Sequence, residues 1–272
     1  MTDETALITG TSSGVGRATA RLFTEEGWTV YATAREESDL DGLDCRTDTL
    51  DVTSGEDIDR VTDRIVEETG RIDCLVNNAG YGQYGPLEDI PTDELHRQFD
   101  ANVYGPHRLV RATLPHMRDR EEGTIVNVSS VAGRIASPGS GAYSGSKFAL
   151  EAMSDALRGE LAAFGIDVVL VEPGPVETEF RERVTAELDD GLERRPDYEW
   201  VYDIIEDAGL LAGGAPLAVE PEAVASVIHD AASVTDPDPR YPVGRAAKYA
   251  LSARFLPDRV RDAVYRLVGR LA

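Results

Sequence analysis

Lysine is almost missing from this chain. Of its 272 residues only Lys147 and Lys248 are lysines, and arginine supplies the remainder of the 27 basic side chains. Cysteine is equally scarce. Cys45 and Cys74 stand at no metal-ligand spacing, which argues against a disulfide framework or a cysteine-held metal and marks both as expected buried, reduced, structural side chains. No metal site is expected. No run of 18 apolar residues occurs, and the N-terminus Met1-Thr2-Asp3-Glu4 is acidic. Neither a transmembrane helix nor a signal peptide is therefore expected, and the chain reads as cytoplasmic. There is no linker of domain-boundary character, so one domain spanning residues 1–272 is expected.

What the chain has in excess is negative charge. Fifty acidic residues face 27 basic ones, a net charge of −23. This balance makes nucleic acid an unfavourable partner. An acidic surface depleted of lysine suits a halophile, because at about 1 M salt a Debye length of about 3 Å screens the mutual repulsion of carboxylates.

Short apolar runs alternate with helical patterns along the chain. Thr5 to Thr9 reads as a buried strand leading into Gly10-Thr11-Ser12-Ser13-Gly14-Val15-Gly16 and then a helix through Ala18, Leu22 and Phe23. A strand, a glycine-rich turn and a helix N-terminus together suit a phosphate group, although a glycine-rich loop without a ligand has the same composition. Trp28 to Ala34 is a second strand. Its end carries no carboxylate for a ribose 2′-hydroxyl; Arg35 follows, which favours the 2′-phosphate of NADP(H) over NAD(H), unless Arg35 pairs with Glu36 and Glu37. Further strands are expected over Thr47–Val52, Ile72–Asn77, Gly123–Ser130 and Ile166–Glu172. Helices are expected from Ser54 to about Gly70, from about Asp93 to Met117 with Asn102 mid-pattern, and from about Tyr143 to Phe164. The alternation predicts an α/β fold, a Rossmann-type doubly wound parallel sheet.

Tyr143 and Lys147 are four residues apart and share a helix face. An ammonium beside a phenol lowers the phenol's pKa and makes it a usable proton donor and acceptor, so a depressed pKa is expected for Tyr143. Ser130 lies 13 residues earlier, at the end of a strand.

Taken in order, Thr9-Gly10-xxx-Gly14-x-Gly16, Asp51-Val52, Asn77-Asn78-Ala79-Gly80, Asn102, Ser130, Tyr143-xxx-Lys147 and Pro173-Gly174-x-Val176-x-Thr178 resemble the short-chain dehydrogenase/reductase family in its single-domain form. The resemblance implies an oxidoreductase that interconverts an alcohol with a ketone or aldehyde. It implies that Gly10, Ser12, Ser13, Gly14 and Val15 wrap the pyrophosphate and adenosine ribose, and that Asp51 and Val52 contact the adenine. Asn78, Ala79 and Gly80 would support the middle of the cofactor; Pro173, Gly174, Val176 and Thr178 would hold the nicotinamide. Ser130 would bind the substrate oxygen and Tyr143 would pass the proton. Lys147 would tune Tyr143 and grip the nicotinamide ribose, and Asn102 would hold a water beside Lys147. Homo-oligomers built through the helix of Tyr143 and its neighbour are common in the family. A cofactor-binding sensor without turnover, or an epimerase or dehydratase on the same fold, are the rival readings.

Residues 5–178 would thus form the cofactor-binding and catalytic core. Residues 179–218 read as a helical lid whose Phe180, Tyr198, Trp200 and Tyr202 either face an apolar substrate or pack the lid down. Pro221 to about Ser233 reads as a helix of the main domain. In residues 245–272 seven basic side chains face only Asp258 and Asp262, a local charge of +5 that leaves −28 on the rest. Val260, Val264, Leu267 and Leu271 form one apolar stripe there. Packing on the acidic body is the favoured expectation for this tail, ahead of a dimer contact or a membrane surface. The tail and Arg240-Tyr241-Pro242-Val243-Gly244 resemble the branch containing 17β-hydroxysteroid and retinol dehydrogenase-like proteins, which implies a bulky apolar substrate.

Overall fold

Each apolar run is too short to bury a helix and long enough for a strand with two faces. The computed structural model describes residues 4–177, 193–207 and 218–268, and among them seven strands form one sheet. They are β1 Thr5–Thr9, β2 Thr29–Ala34, β3 Arg46–Thr49, β4 Cys74–Asn77, β5 Gly123–Val128, β6 Ile166–Pro173 and β7 Arg240–Val243. The order is β3-β2-β1-β4-β5-β6-β7 and every pairing is parallel. Strand order reverses between β1 and β4, so a crevice opens beyond their carboxyl ends.

The helices are α1 Gly14–Glu25, α2 Gly55–Thr69, α3 Thr92–Phe99, α4 Gly105–Arg120, α5 Gly141–Leu161, α6 Glu199–Asp207, α7 Pro221–Ser233, α8 Arg245–Ser252 and α9 Asp258–Val268. Successive strand residues point to opposite faces, and the core divides accordingly. Ala6 and Ile8 join Phe23, Trp28, Val126, Val224 and Ile228, on the face covered by α1 and α7. Leu7 joins Ile58, Val61, Ile65, Leu109, Met117 and Ile125, on the face covered by α2 and α4. Each fully buried Leu, Ile, Val, Phe or Met among them contributes roughly 1.5–3 kcal/mol of hydrophobic stabilisation before chain entropy is counted. The start and stop of α2 show how local sequence sets an element. The Asp57 amide donates to Ser54 Oγ at 3.2 Å, and Gly70 ends the helix at φ 73°.

Several boundaries differ from the expectation. β3 stops at Thr49 and β5 at Val128; the Leu50 and Ser129 amides make the last bonds, to Ala34 O and Val171 O, and the chain then turns into the crevice. The expected helix from Asp93 is broken into α3, a π-helical turn over Asp100–Tyr104 and α4. β7 was not expected; it is short and contains Pro242, which an edge strand tolerates.

The tail departs further. α9 touches the body through Tyr265, whose hydroxyl donates to Ala136 O at 2.7 Å. Its apolar stripe does not pack on the body as expected. Val260, Val264 and Leu267 are 44%, 49% and 59% exposed. Leu271 lies outside the described residues. No helix among the described residues is long and apolar enough to cross a membrane. Both cysteines are free; Cys74 is buried and Cys45 half-buried, and burial raises the pKa of each.

Candidate active site

The crevice at the carboxyl edge is a cleft of about 1260 Å³. One end is built from backbone. Gly10 turns at φ 70°, and a Cβ there would stand 2.7 Å from the Ala79 Cα. A Cβ on Gly16 would stand 2.1 Å from the Gly10 carbonyl oxygen. The turn can therefore close only on glycine. Asn78 braces it: Nδ2 donates to the carbonyls of Thr9 and Gly10 at 3.0 Å each, and the Thr9 hydroxyl oxygen accepts from the amides of Asn78 and Ala79. Gly10, Ser12, Ser13, Gly14 and Val15 line the cleft here, at the N-terminus of α1. Those amides and the positive end of the helix suit a pyrophosphate.

Arg35, Asp51 and Val52 line the neighbouring rim. Arg35 is exposed and makes no ion pair with Glu36 or Glu37, the rival arrangement weighed from sequence. Arg17, which the sequence reading did not single out, donates to the carbonyls of Ser12 at 3.4 Å, Asp39 at 2.9 Å and Asp41, and so ties the glycine turn to the segment after β2. Asp51 accepts from the amide and hydroxyl of Thr53 and forms a local turn.

The other end of the cleft holds hydroxyls. Ser130 leaves β5, and its Oγ accepts from the Ala132 amide at 3.1 Å. Tyr143, in the first turn of α5, is 9% exposed and hydrogen-bonded by Ser130. Lys147, one turn on, donates to Val128 O at 2.9 Å. Its Nζ stands 5.9 Å from the Tyr143 ring centre. The expected depression of the Tyr143 pKa is not found. Burial pushes it up to about 12, with the Ser130 hydrogen bond working in the opposite direction. Burial lowers Lys147 to about 8, and the charge of Glu151 opposes that. The physical reason is direction: the ammonium is spent on the β5 carbonyl, so desolvation of the phenol dominates.

Asn102 does not line the cleft directly. The π-helical turn swings it inward, 1% exposed, where Oδ1 accepts from the Tyr81 amide at 3.1 Å and Nδ2 donates to Tyr81 O and Ser146 Oγ. Gly80 separates Asn102 from Lys147: a Cβ on it would meet Asn102 Oδ1 at 2.8 Å and Lys147 Nζ at 3.9 Å. Ala79, Gly80, Pro173, Gly174 and Val176 line the middle of the cleft. Thr178 lies outside the described residues.

Beyond Tyr143 the cleft turns apolar. Tyr84 stacks at 5.4 Å between ring centres, tilted by 33°, and Ile135, Ile204, Ile205 and Tyr265 complete the wall. Of the expected lid aromatics, Tyr198, Trp200 and Tyr202 do not line the cleft; they pack with Val201 and Ile205. Phe180 lies outside the described residues. Asp89 pins α6 and the segment before it. One carboxylate oxygen accepts from the Tyr202 hydroxyl at 2.8 Å and the other from Arg195 Nη1 at 2.7 Å. Sequence reasoning missed Tyr84, Tyr265 and Asp89, none of which sits in a motif.

Behind the hydroxyls lies a buried ionic cluster, also missed. Glu151 and Glu172 are 4% and 1% exposed. Arg134 contacts Glu172 at 2.6 Å; Arg240 lies 3.2 Å from Glu151 and 3.3 Å from Glu172 and also binds Asp155. The cluster joins the loop of Ser130 to α5, β6 and β7.

Residues 4–189 match the family model described as short chain dehydrogenase. The chain is 38% identical over 268 residues to the uncharacterized oxidoreductase YbbO of Escherichia coli, covering 96% of this chain and 93% of that protein. It is 32% identical over 280 residues to the NADPH-dependent 3-dehydrocapnine reductase of Ornithobacterium rhinotracheale, covering 96% and 95%. A solved short-chain dehydrogenase from Streptomyces avermitilis superposes with a TM-score of 0.83 at 35% identity, covering 99% of this chain and 98% of that one.

Proposed function

The chain belongs to the short-chain dehydrogenase/reductase family, oxidoreductases acting on CH–OH groups, and from that premise we propose that it reduces a bulky apolar ketone or aldehyde with NADPH. The observation that carries the reading is the junction of the cleft. The Ser130 and Tyr143 hydroxyls stand where the glycine-built end meets the apolar end.

The residues present fit a dinucleotide. Gly10 and Gly16 let the turn close against Asn78 and Ala79, the N-terminus of α1 lines the cleft beside it, and Arg35 lines the rim that suits a 2′-phosphate. Gly10, Ser12, Ser13, Gly14 and Val15 would hold the pyrophosphate, Asp51 and Val52 the adenine, and Asn78, Ala79 and Gly80 the adenosine and central part. Pro173, Gly174, Val176 and Thr178 would hold the nicotinamide. Bound NADPH supplies a hydride. The relative named as NADPH-dependent supports the choice of phosphate.

The chain's own residues do the rest. A carbonyl that receives hydride at carbon gains negative charge on oxygen, and Ser130 Oγ–H meets that charge. Tyr143, its pKa raised to about 12, is neutral near pH 7 and holds the proton that the oxygen takes. That protonation state serves reduction directly, whereas oxidation requires the proton to be removed first. Lys147 orients the site from the Val128 carbonyl, and Gly80 walls it with Asn102 buried behind.

The resemblance to the 17β-hydroxysteroid and retinol dehydrogenase-like branch, with Tyr84, Ile135, Ile204 and Ile205 in the wall, supports an apolar substrate. Exposed Phe148 and Met153 on α5 support a homo-oligomer. The −23 charge and the two lysines support a halophilic setting. The test is NADPH-dependent reduction of a panel of ketones and aldehydes by wild type and Tyr143→Phe. Loss of turnover by about 100-fold or more with NADPH affinity retained is expected. Equal activity in both proteins, or conversion without net NADPH use, would sink the reading in favour of a sensor or an epimerase.

A further inference from the structure

We propose that the segment from Arg245 to Val268 docks the protein on an anionic lipid surface, with the apolar end of the cleft beside the contact. The second half of this statement rests on the substrate reading above; the docking itself does not.

Two observations converge. The first is apolar. Phe255 is 86% exposed, and Leu256, Val260, Val264 and Leu267 are 44–59% exposed. These five lie within 13 residues, whereas Leu87, Tyr104, Phe148, Met153, Phe164 and Val234 are spread over the rest of the chain. Val260, Val264 and Leu267 recur at helical spacing on α9 and so form one face.

The second is electrostatic. Elsewhere most arginines among the described residues pair with carboxylates, as Arg60 and Arg64 do with Asp48, Arg71 with Asp73, and Arg134 with Glu172, although Arg35 is open too. In the tail, Arg245, Lys248, Arg254, Arg259 and Arg266 make no ion pair among the described residues, and Arg261 pairs only with Asp258 of its own helix. A body carrying −28 thus leaves these cations open, although intramolecular pairing was the favoured expectation.

A surface both apolar and cationic is complementary to one that is both apolar and anionic. A bilayer with acidic headgroups has that character, and a basic amphipathic helix lying in its interface inserts the apolar face while arginines reach the headgroups. A second copy is a poorer fit. Tail against tail would set +5 against +5, whereas acidic headgroups complement that charge. Position adds a consequence. Tyr265 lies between Val264 and Arg266 on α9, lines the cleft, and bonds to Ala136 O beside Ile135. The helix that carries the apolar stripe therefore also supplies a side chain to the wall of the substrate end.

The test is flotation of the full-length protein with phosphatidylglycerol vesicles and with phosphatidylcholine vesicles, in 0.15 M and 2 M KCl. Wild type is expected to float with phosphatidylglycerol at least 10-fold better than with phosphatidylcholine in low salt, with the preference shrinking in high salt. The triple variant Val260→Asp, Val264→Asp, Leu267→Asp should stay in the aqueous fraction. Arg254→Glu with Arg259→Glu and Arg266→Glu should lose the preference for anionic vesicles. NADPH-dependent reduction of a small water-soluble ketone should be unchanged in both, which shows that they fold. Wild type remaining aqueous with both vesicles overturns the proposal. So does a stripe variant that alters the mass in light scattering but not flotation, since the face would then join two copies. Flotation without any reductase activity would leave docking standing and remove the substrate reading alone.

Discussion

Lys147 donates its ammonium to the carbonyl oxygen of Val128 at 2.9 Å and stands 5.9 Å from the ring centre of Tyr143. The two side chains share a helix face, yet the lysine's hydrogen bond runs to the sheet. The Tyr143 pKa is raised to about 12 and that of Lys147 lowered to about 8. Lys147 therefore loses its proton first as pH rises. Its charge is fully present below about pH 7 and lost through pH 8, while Tyr143 stays protonated throughout. The expected profile of kcat/KM for reduction is a plateau near neutrality with an alkaline limb near pH 8. A limb appearing only near pH 12 would assign the loss to Tyr143 and refute the lysine assignment.

Glu151 offers a finer test of the same limb. It lies one turn beyond Lys147, buried at 4% exposure, and its charge opposes the lowering of the Lys147 pKa. The groups that act on it are Ser129 and Arg134 after β5, Glu172 on β6, Arg240 on β7 and Lys147 on α5, and Asp155 holds Arg240 from the next turn. Glu151→Gln removes a negative charge near the ammonium, so the alkaline limb is expected at lower pH than in wild type. Glu172→Gln perturbs the same cluster but is not among the influences on Lys147. Both variants are expected to lower Tm, since breaking a buried ion pair costs about 3–5 kcal/mol. Only Glu151→Gln should move the limb. Equal displacement in both variants would reduce Glu151 to a purely structural role.

Arg35 bears on the cofactor. It makes no ion pair with its neighbouring glutamates, and it lines the rim next to Ser12 and Ser13. A hydrogen bond to a charged group contributes about 1.5–3 kcal/mol, so Arg35→Ala is expected to weaken NADPH binding roughly 10- to 100-fold. NADH, which has no 2′-phosphate, should bind the variant as it binds wild type. Fluorescence titration with the two cofactors decides this. An equal loss for both would mean that Arg35 supports the fold of the rim instead.

The frame of the molecule was legible because its strands and helices carry clean periods, and because Gly10, Gly14 and Gly16 fall between a strand and a helix. Six strands were found in that way. β7 was not, since four residues around Pro242 make no strand pattern without the edge position that β6 provides. Asn102 was visible as an anomaly in a helix, but the π-helical turn that aims it at Tyr81 and Ser146 has no signature in sequence. The Tyr143 pKa was misjudged because spacing reports which face a lysine shares and not where its hydrogen bond goes. The Glu151 and Glu172 cluster joins residues up to 106 positions apart (Arg134 to Arg240), beyond the reach of any local pattern.

The α6 wall of the cleft supplies the last test. Asp89 is 6% exposed and accepts from Tyr202, from the Arg195 guanidinium and from the Arg195 amide at 3.3 Å, all in or before α6. α6 in turn presents Ile204 and Ile205 to the cleft. Asp89→Asn keeps the size of the side chain but removes the charge that holds Arg195, and Tyr202→Phe removes one donor. Both should loosen the apolar wall without touching Ser130, Tyr143 or the glycine turn. The expected result is a KM raised several-fold for a bulky apolar ketone, with kcat for a small ketone nearly unchanged. The double variant should cost less than the product of the single effects, because both donors act through one carboxylate. A uniform fall in kcat for large and small substrates alike would place the effect in the catalytic groups and deny α6 a part in choosing the substrate.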